Sequence, residues 1–109
     1  MLFYGVRIRA LAPGLHLLEC EARWRDGSRL LGVEVLEEAS KSLVRFRYRW
    51  QYLDTNDSSI FRYDNAPHHP EVNTFPHHKH TPSGIEPAEP PSPEQIISEV
   101  ERHIVGRQT

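Results

Sequence analysis

Five of the seven histidines, His68, His69, His77, His78 and His80, fall within thirteen residues of the run RYDNAPHHPEVNTFPHHKH, Arg62 to His80. Imidazole changes charge near neutral pH, so such a cluster can move protons, hold a metal ion or sense pH, and no structural role needs so many. Arg62, Tyr63 and Lys79 in the same run can stabilise charge developing on a phosphate, and Asp64 can orient one imidazole by accepting its second N–H. These residue types suffice for RNA cleavage without a metal. A base takes the 2′-hydroxyl proton, an acid protonates the departing oxygen, and cations stabilise the phosphorane-like transition state.

A metal ion is the other use of the same side chains. His68, His69, His77, His78 and His80, with Asp64 and Glu71, offer enough nitrogen and oxygen ligands for a mononuclear site. Adjacent residues of an extended chain point to opposite sides, so each histidine pair supplies one ligand, and His78-x-His80 is the pair that shares a side. That spacing is loose, and the catalytic reading carries no cofactor. Its alternative is a non-enzymatic binding protein whose histidine-rich loop holds a metal ion or a protein partner; a third is a pH-sensitive surface. The plain structural reading is a proline-braced surface loop whose histidines bond backbone carbonyls beside Phe75.

Arg45, Arg47 and Arg49 form a second candidate surface. With a helix on the aromatic face of the sheet, they stand on the opposite face beside Arg23 and Arg25, or beside Glu19 and Glu21, according to register. Paired with the glutamates they make a solvated surface, the commoner outcome for charged rows on antiparallel sheets. Unpaired, they make a nucleic-acid-binding platform, or a dock for an acidic partner, leading toward the histidines.

The elements that must position these groups are legible in the hydropathy pattern. Leu15–Arg25 alternates, with His16, Leu18, Cys20, Ala22 and Trp24 on one side. Asp26-Gly27 suits a tight hairpin turn, and Ser28–Leu36 follows with Leu31, Val33 and Val35 alternating. After a polar break at Glu37–Ser42, Leu43–Leu53 alternates most strongly, with Val44, Phe46, Tyr48, Trp50 and Tyr52 opposed to the arginines. Turn formers at Asp54–Ser59 precede a short fourth run, Ile60–Asp64. Eight of the nine prolines lie between Pro67 and Pro93, which predicts a long loop over 65–91. Ser92, Pro93 and Gln95 then announce a helix over 93–105, its apolar stripe Ile96, Ile97, Val100 and Ile104, with Gly106 beyond its end. The expectation is one α+β domain over residues 1–109, a four-stranded antiparallel meander over 15–64 with the C-terminal helix packed on one face.

Composition narrows the function classes. The net charge of −2 argues against indiscriminate capture of nucleic acid or of an anionic membrane. Positive charge is N-terminal: residues 1–63 carry ten Lys or Arg against eight Asp or Glu, residues 64–109 three against seven. Cys20 is the single cysteine, which excludes an internal disulfide and a multi-cysteine zinc site and suits an inert core residue. Arg7 and Arg9 stand where a signal peptide needs its apolar run, and no segment approaches spanning length, so a cytoplasmic chain without a membrane partner is expected. An uncovered sheet edge could pair two copies into a homodimer.

The run RYDNAPHHPEVNTFPHHKH, with Pro90-Pro91-Ser92, the terminal helix and the strand–Asp-Gly–strand arrangement at Leu15–Leu36, resembles the signature of the TumE-like proteins. These are small prokaryotic toxins of type II toxin–antitoxin pairs. The resemblance implies a toxin encoded beside a DNA-binding antitoxin, and a fold similar to the RelE-type ribonucleases, with RNA as substrate. Arg62, Tyr63, Asp64, His68, His69, His77, His78, Lys79 and His80 lie in the matching run and have suitable chemistry, and are the candidate catalytic residues.

Overall fold

The structure, a computed structural model, describes residues 1–108, with the side chain of Gln108 left aside. Among the described residues the chain forms seven strands and one helix: β1 (Phe3–Ala12), β2 (Leu15–Arg23), β3 (Arg29–Ala39), β4 (Ser42–Leu53), β5 (Ser59–Asp64), β6 (His78–Thr81), β7 (Gly84–Pro87) and α1 (Pro93–Gln108). The strands form a single antiparallel sheet in sequence order. The expected architecture, an antiparallel meander with a C-terminal helix, is therefore present, but with seven strands rather than four.

The three additional strands lie where burial is slight or proline abundant. β1 is an edge strand with nearly all its residues exposed, so its Val6 and Ile8 pack against little. β6 and β7 sit inside the segment expected to be loop. Pro82 occupies the two-residue turn between paired Thr81 and Gly84, and Pro87 ends edge strand β7, the two places where a strand tolerates proline. His78–Thr81 itself has none. β3 also runs through the expected polar break to Ala39, leaving Ser40, at φ 54°, to turn the chain.

One face of the sheet carries the core. Leu30, Trp50, Tyr52 and Phe61 are buried there with Ile96 and Val100 of α1, and Leu18, Ile97 and Ile104 pack beside them. The α1 stripe is thus the one expected from the sequence. Its start is a reciprocal capping box: Gln95 N donates to Ser92 Oγ at 3.2 Å, and Ser92 N to Gln95 Oε1 at 2.9 Å. Its end differs from expectation, because the helix continues through Gly106. Arg107 holds that last turn to the sheet, its Nη2 reaching both Asp26 Oδ2 and Tyr52 Oη at 2.7 Å.

Trp50 packs across its neighbour Gly32, where an added Cβ would come within 2.3 Å of the indole. Leu31, Val33 and Val35, which look like core residues in the sequence, therefore lie on the opposite, open face. Cys20 is buried, and burial raises its thiol pKa, which suits an inert core cysteine. Among the described residues no helix is long and apolar enough to cross a membrane.

His103 of α1 packs near the rings of Tyr52 and Phe61. Burial and the positive charges of Lys79, Arg107 and Arg102 lower its pKa, against the opposing pull of Glu99. The unfolded chain, titrating near the ordinary 6.5, takes up its proton first, so this contribution to stability is lost as pH falls through that value. The expected outcome is a Tm that declines between pH 7 and pH 5 with a shallower slope in His103→Gln; identical slopes would remove His103 from the acid response.

Candidate functional site

Residues directly opposite on antiparallel strands share a face, and the pairing Arg62↔His80 and Asp64↔His78 puts all four on the open face. The alternate residues Tyr63 and Lys79 point to α1. There Tyr63 Oη donates to Glu99 Oε1 at 2.6 Å and Lys79 Nζ donates to Glu99 Oε2 at 2.5 Å. Burial, then the bond to Glu99, pushes the Tyr63 hydroxyl well above its usual range. Two expected phosphate ligands thus belong to the helix–sheet seam.

Asp64, buried at the end of β5, is the hub of the open-face group. Its Oδ1 accepts from Ala66 N at 3.0 Å and lies 2.9 Å from His78 Nε2. Its Oδ2 accepts from Arg62 Nε at 3.0 Å and lies 3.4 Å from His80 Nε2.

Hydrogen positions follow from the partners. His78 Nδ1 is 2.8 Å from the carbonyl oxygen of Pro76, a pure acceptor, so Nδ1 carries a hydrogen. His80 Nε2 is 2.8 Å from Arg62 Nη2, a pure donor, so His80 Nε2 is a bare lone pair. Burial, then the Arg62 charge, lowers the His80 pKa and favours this neutral form. His78 Nε2, 3.1 Å from His80 Nε2, faces the lone pair of His80 and the Asp64 carboxylate together. These two acceptors converge on His78 Nε2.

The segment after β5 folds back over this group. Asn65 does what a further strand would do: its side-chain oxygen accepts from Tyr48 N at 3.0 Å and its amide donates to the Phe46 carbonyl at 3.2 Å. Asx residues at a strand end commonly satisfy backbone groups in this way, the one signal that could have marked Asn65 in the sequence. Val72, buried, anchors the segment, and His69 comes to rest with ring centroids 4.9 Å from His78 and 5.6 Å from His80. Its Nδ1 is 3.1 Å from Glu71 Oε1. His68 is exposed at the rim. His77 points away, stacked on Tyr48 with Nδ1 3.0 Å from Tyr48 Oη, a hydroxyl whose pKa burial raises to about 12.

Between these rings and the sheet is a cavity of about 340 Å³, floored by Val33 and Val35 and lined by His68, His69, His78 and His80 with Arg47, Arg49 and Arg62. The expected arginine row is broken. Val35 pairs with Arg47 but Leu36 with Arg45, so Phe46 is an extra residue that turns Arg45 to the helix face. Arg45 there donates to Glu34 at 3.0 Å and to the Pro91 carbonyl at 2.8 Å. Arg47 donates to the Asn65 carbonyl at 2.9 Å, and Arg49 is exposed, its side chain without a hydrogen bond or ion pair among the described residues. Glu19 and Glu21 do not neutralise them, because apolar β3 intervenes; Glu19 bonds Arg7 and Glu21 bonds Arg23.

The TumE family model, described as Toxin TumE, matches residues 3–108, and the chain belongs to that family. No curated protein and no solved structure gives a match. The matched span takes in every element described above, including β1, β6 and β7.

Asp64 is the side chain whose loss should be felt most. Asp64→Ala removes the buried acceptor that Ala66 N and Arg62 Nε share and that His78 Nε2 faces, and urea denaturation should show a loss of about 3 kcal/mol. Glu38→Ala, which removes an exposed partner of His16, should change stability by less than about 0.5 kcal/mol. Equal effects would mean that Asp64 is not the hub.

Proposed function

We propose that this member of the toxin family acts on RNA as a metal-independent endoribonuclease, in the cytoplasm, and is restrained by a DNA-binding antitoxin encoded beside it. The observation that carries the reading is the cavity in which four imidazoles and three guanidiniums face the same space above one buried carboxylate. A phosphodiester is the substrate such a lining suits: anionic, with one proton to remove and one to supply. A helix packed on an antiparallel sheet is also the architecture in which the chain would be related to the RelE-type ribonucleases.

In this mechanism Arg62 Nη2 turns from His80 to the phosphate, and the freed Nε2 lone pair of His80 takes the 2′-hydroxyl proton. The oxygen attacks the adjacent phosphorus, the bond from phosphorus to O5′ breaks, and a protonated His69 gives its Nε2 hydrogen to that oxygen. Products are a 2′,3′-cyclic phosphate and a free 5′-hydroxyl. His78 is almost fully enclosed and serves as a positioning residue that ties His80 to Asp64. Arg49 and Arg47, with Arg62 and the rim residue His68, hold the phosphate oxygens. Tyr63, His77, Lys79 and Arg45 have no part in it, each being committed to another partner.

The test is cleavage of a short labelled RNA by purified protein in the presence of chelator. His80→Ala should lower the rate by about 10²-fold or more, the usual worth of a general base. Arg49→Ala should raise KM more than it lowers kcat, and His77→Gln should cleave as the unaltered protein does. Growth arrest that persists in His80→Ala, or products carrying a 5′-phosphate, would contradict the mechanism.

A further inference from the structure

The geometry points to a second use of the open-face histidines: His69, His78 and His80 form a three-imidazole site for a divalent transition metal of the zinc class. One ring nitrogen from each of the three lies within 4.8 Å of the others, and the three rings stand edge to face at interplanar angles of 68° to 75°. Rings that pack for burial alone have no need to bring one nitrogen each so close together. Four-coordinate zinc with bonds of about 2.0–2.1 Å sets neighbouring ligand atoms about 3.3 Å apart. His78 Nε2 and His80 Nε2 are separated by 3.1 Å, and Asp64 oxygens lie 2.9 Å from the first and 3.4 Å from the second.

The outer contacts carry the argument further. A metal-bound histidine characteristically gives its other ring hydrogen to a carboxylate or a backbone carbonyl, which fixes the tautomer and turns the remaining lone pair to the ion. His78 gives Nδ1–H to the Pro76 carbonyl, and the Nδ1 of His69 faces Glu71, which leaves Nε2 of each ring for the ion. The third lone pair, His80 Nε2, is already bare. Asp64 supplies the negative charge that a dication among neutral imidazoles needs and can fill the fourth position. Arg62 Nη2 now stands at His80 Nε2 and must swing aside; it is a partly exposed side chain that can keep its Nε bond to Asp64.

Binding itself does not rest on the ribonuclease reading; its consequence does. The ion would take the lone pair that the base needs, so metal and RNA would exclude one another.

The experiment uses tag-free full-length protein and Zn²⁺ in competition with a chromophoric chelator, so that binding is read without RNA. The expected result is one equivalent per chain. His69→Gln and His80→Gln should weaken binding by about 100-fold or more, and Glu71→Gln, which touches no ion, by about tenfold, the usual worth of an outer contact. His16→Gln should bind as the unaltered protein does, and unchanged circular dichroism and Tm should accompany His69→Gln, a partly exposed loop residue. No stoichiometric binding by the unaltered protein, or binding that His69→Gln and His80→Gln leave intact, would overturn the site. Cleavage is scored separately, so binding without cleavage, or cleavage without binding, rejects one reading and leaves the other standing.

Discussion

A carboxylate taken out of water must be repaid by charge and hydrogen bonds, and the open face of this protein is organised around that requirement at Asp64. Its two oxygens are met by the Ala66 amide, the Arg62 guanidinium and Nε2 of His78, while His80 Nε2, 3.4 Å from Oδ2, is met by Arg62 Nη2 instead. Left unpaired, the same group would cost several kcal/mol, so the partners are held where the carboxylate needs them. His80 is thereby brought within hydrogen-bond distance of both His78 and the Arg62 guanidinium.

The sheet gives this hub its neighbours by parity. Each step along β5 and β6 changes face, so Arg62, Asp64, His78 and His80 share the open side while Tyr63 and Lys79 go to Glu99 beneath α1. The extra residue Phe46 in β4 alters that parity once, moving Arg45 to the helix side and leaving Arg47 and Arg49 beside the cavity. Asn65 then bonds the backbone of β4 at Phe46 and Tyr48, and the chain after it brings His69 back over its partners. The proton chemistry proposed for the site and the ion proposed to compete for it follow from one arrangement, ring nitrogens gathered beside a buried carboxylate.

Much of this was legible in the sequence, and what was not has identifiable causes. The hairpin at Asp26-Gly27, the strong alternation of β4 and the capped helix α1 each combine a local turn or cap signal with a periodic one, and the structure has all three. The two further strands in the proline-rich segment were hidden because a turn and a strand end absorb the prolines. Phe46 gives no warning of a bulge, since an aromatic residue in an alternating run looks like one more core position. Leu31, Val33 and Val35 misled in the same way: the core side of β3 is taken by Leu30, Gly32 and Glu34, the glycine making room for Trp50 and the glutamate bonding its Nε1. For the site, the rule that alternate residues share a side correctly singled out His78 and His80, while nothing local could tell that His77 would stack on Tyr48 or that His69 would return across the sheet.

The claim on which the account stands is that His80 presents a bare Nε2 to its neighbours and that His78 is protonated at Nδ1. Two-bond ¹H–¹⁵N correlation spectra of the histidine rings at neutral pH, in metal-free protein, observe this directly. The expected result is His80 as the Nδ1–H tautomer with an unprotonated Nε2, and His78 with a hydrogen on Nδ1. A hydrogen resident on His80 Nε2, or a His78 ring lacking its Nδ1 hydrogen, would contradict it.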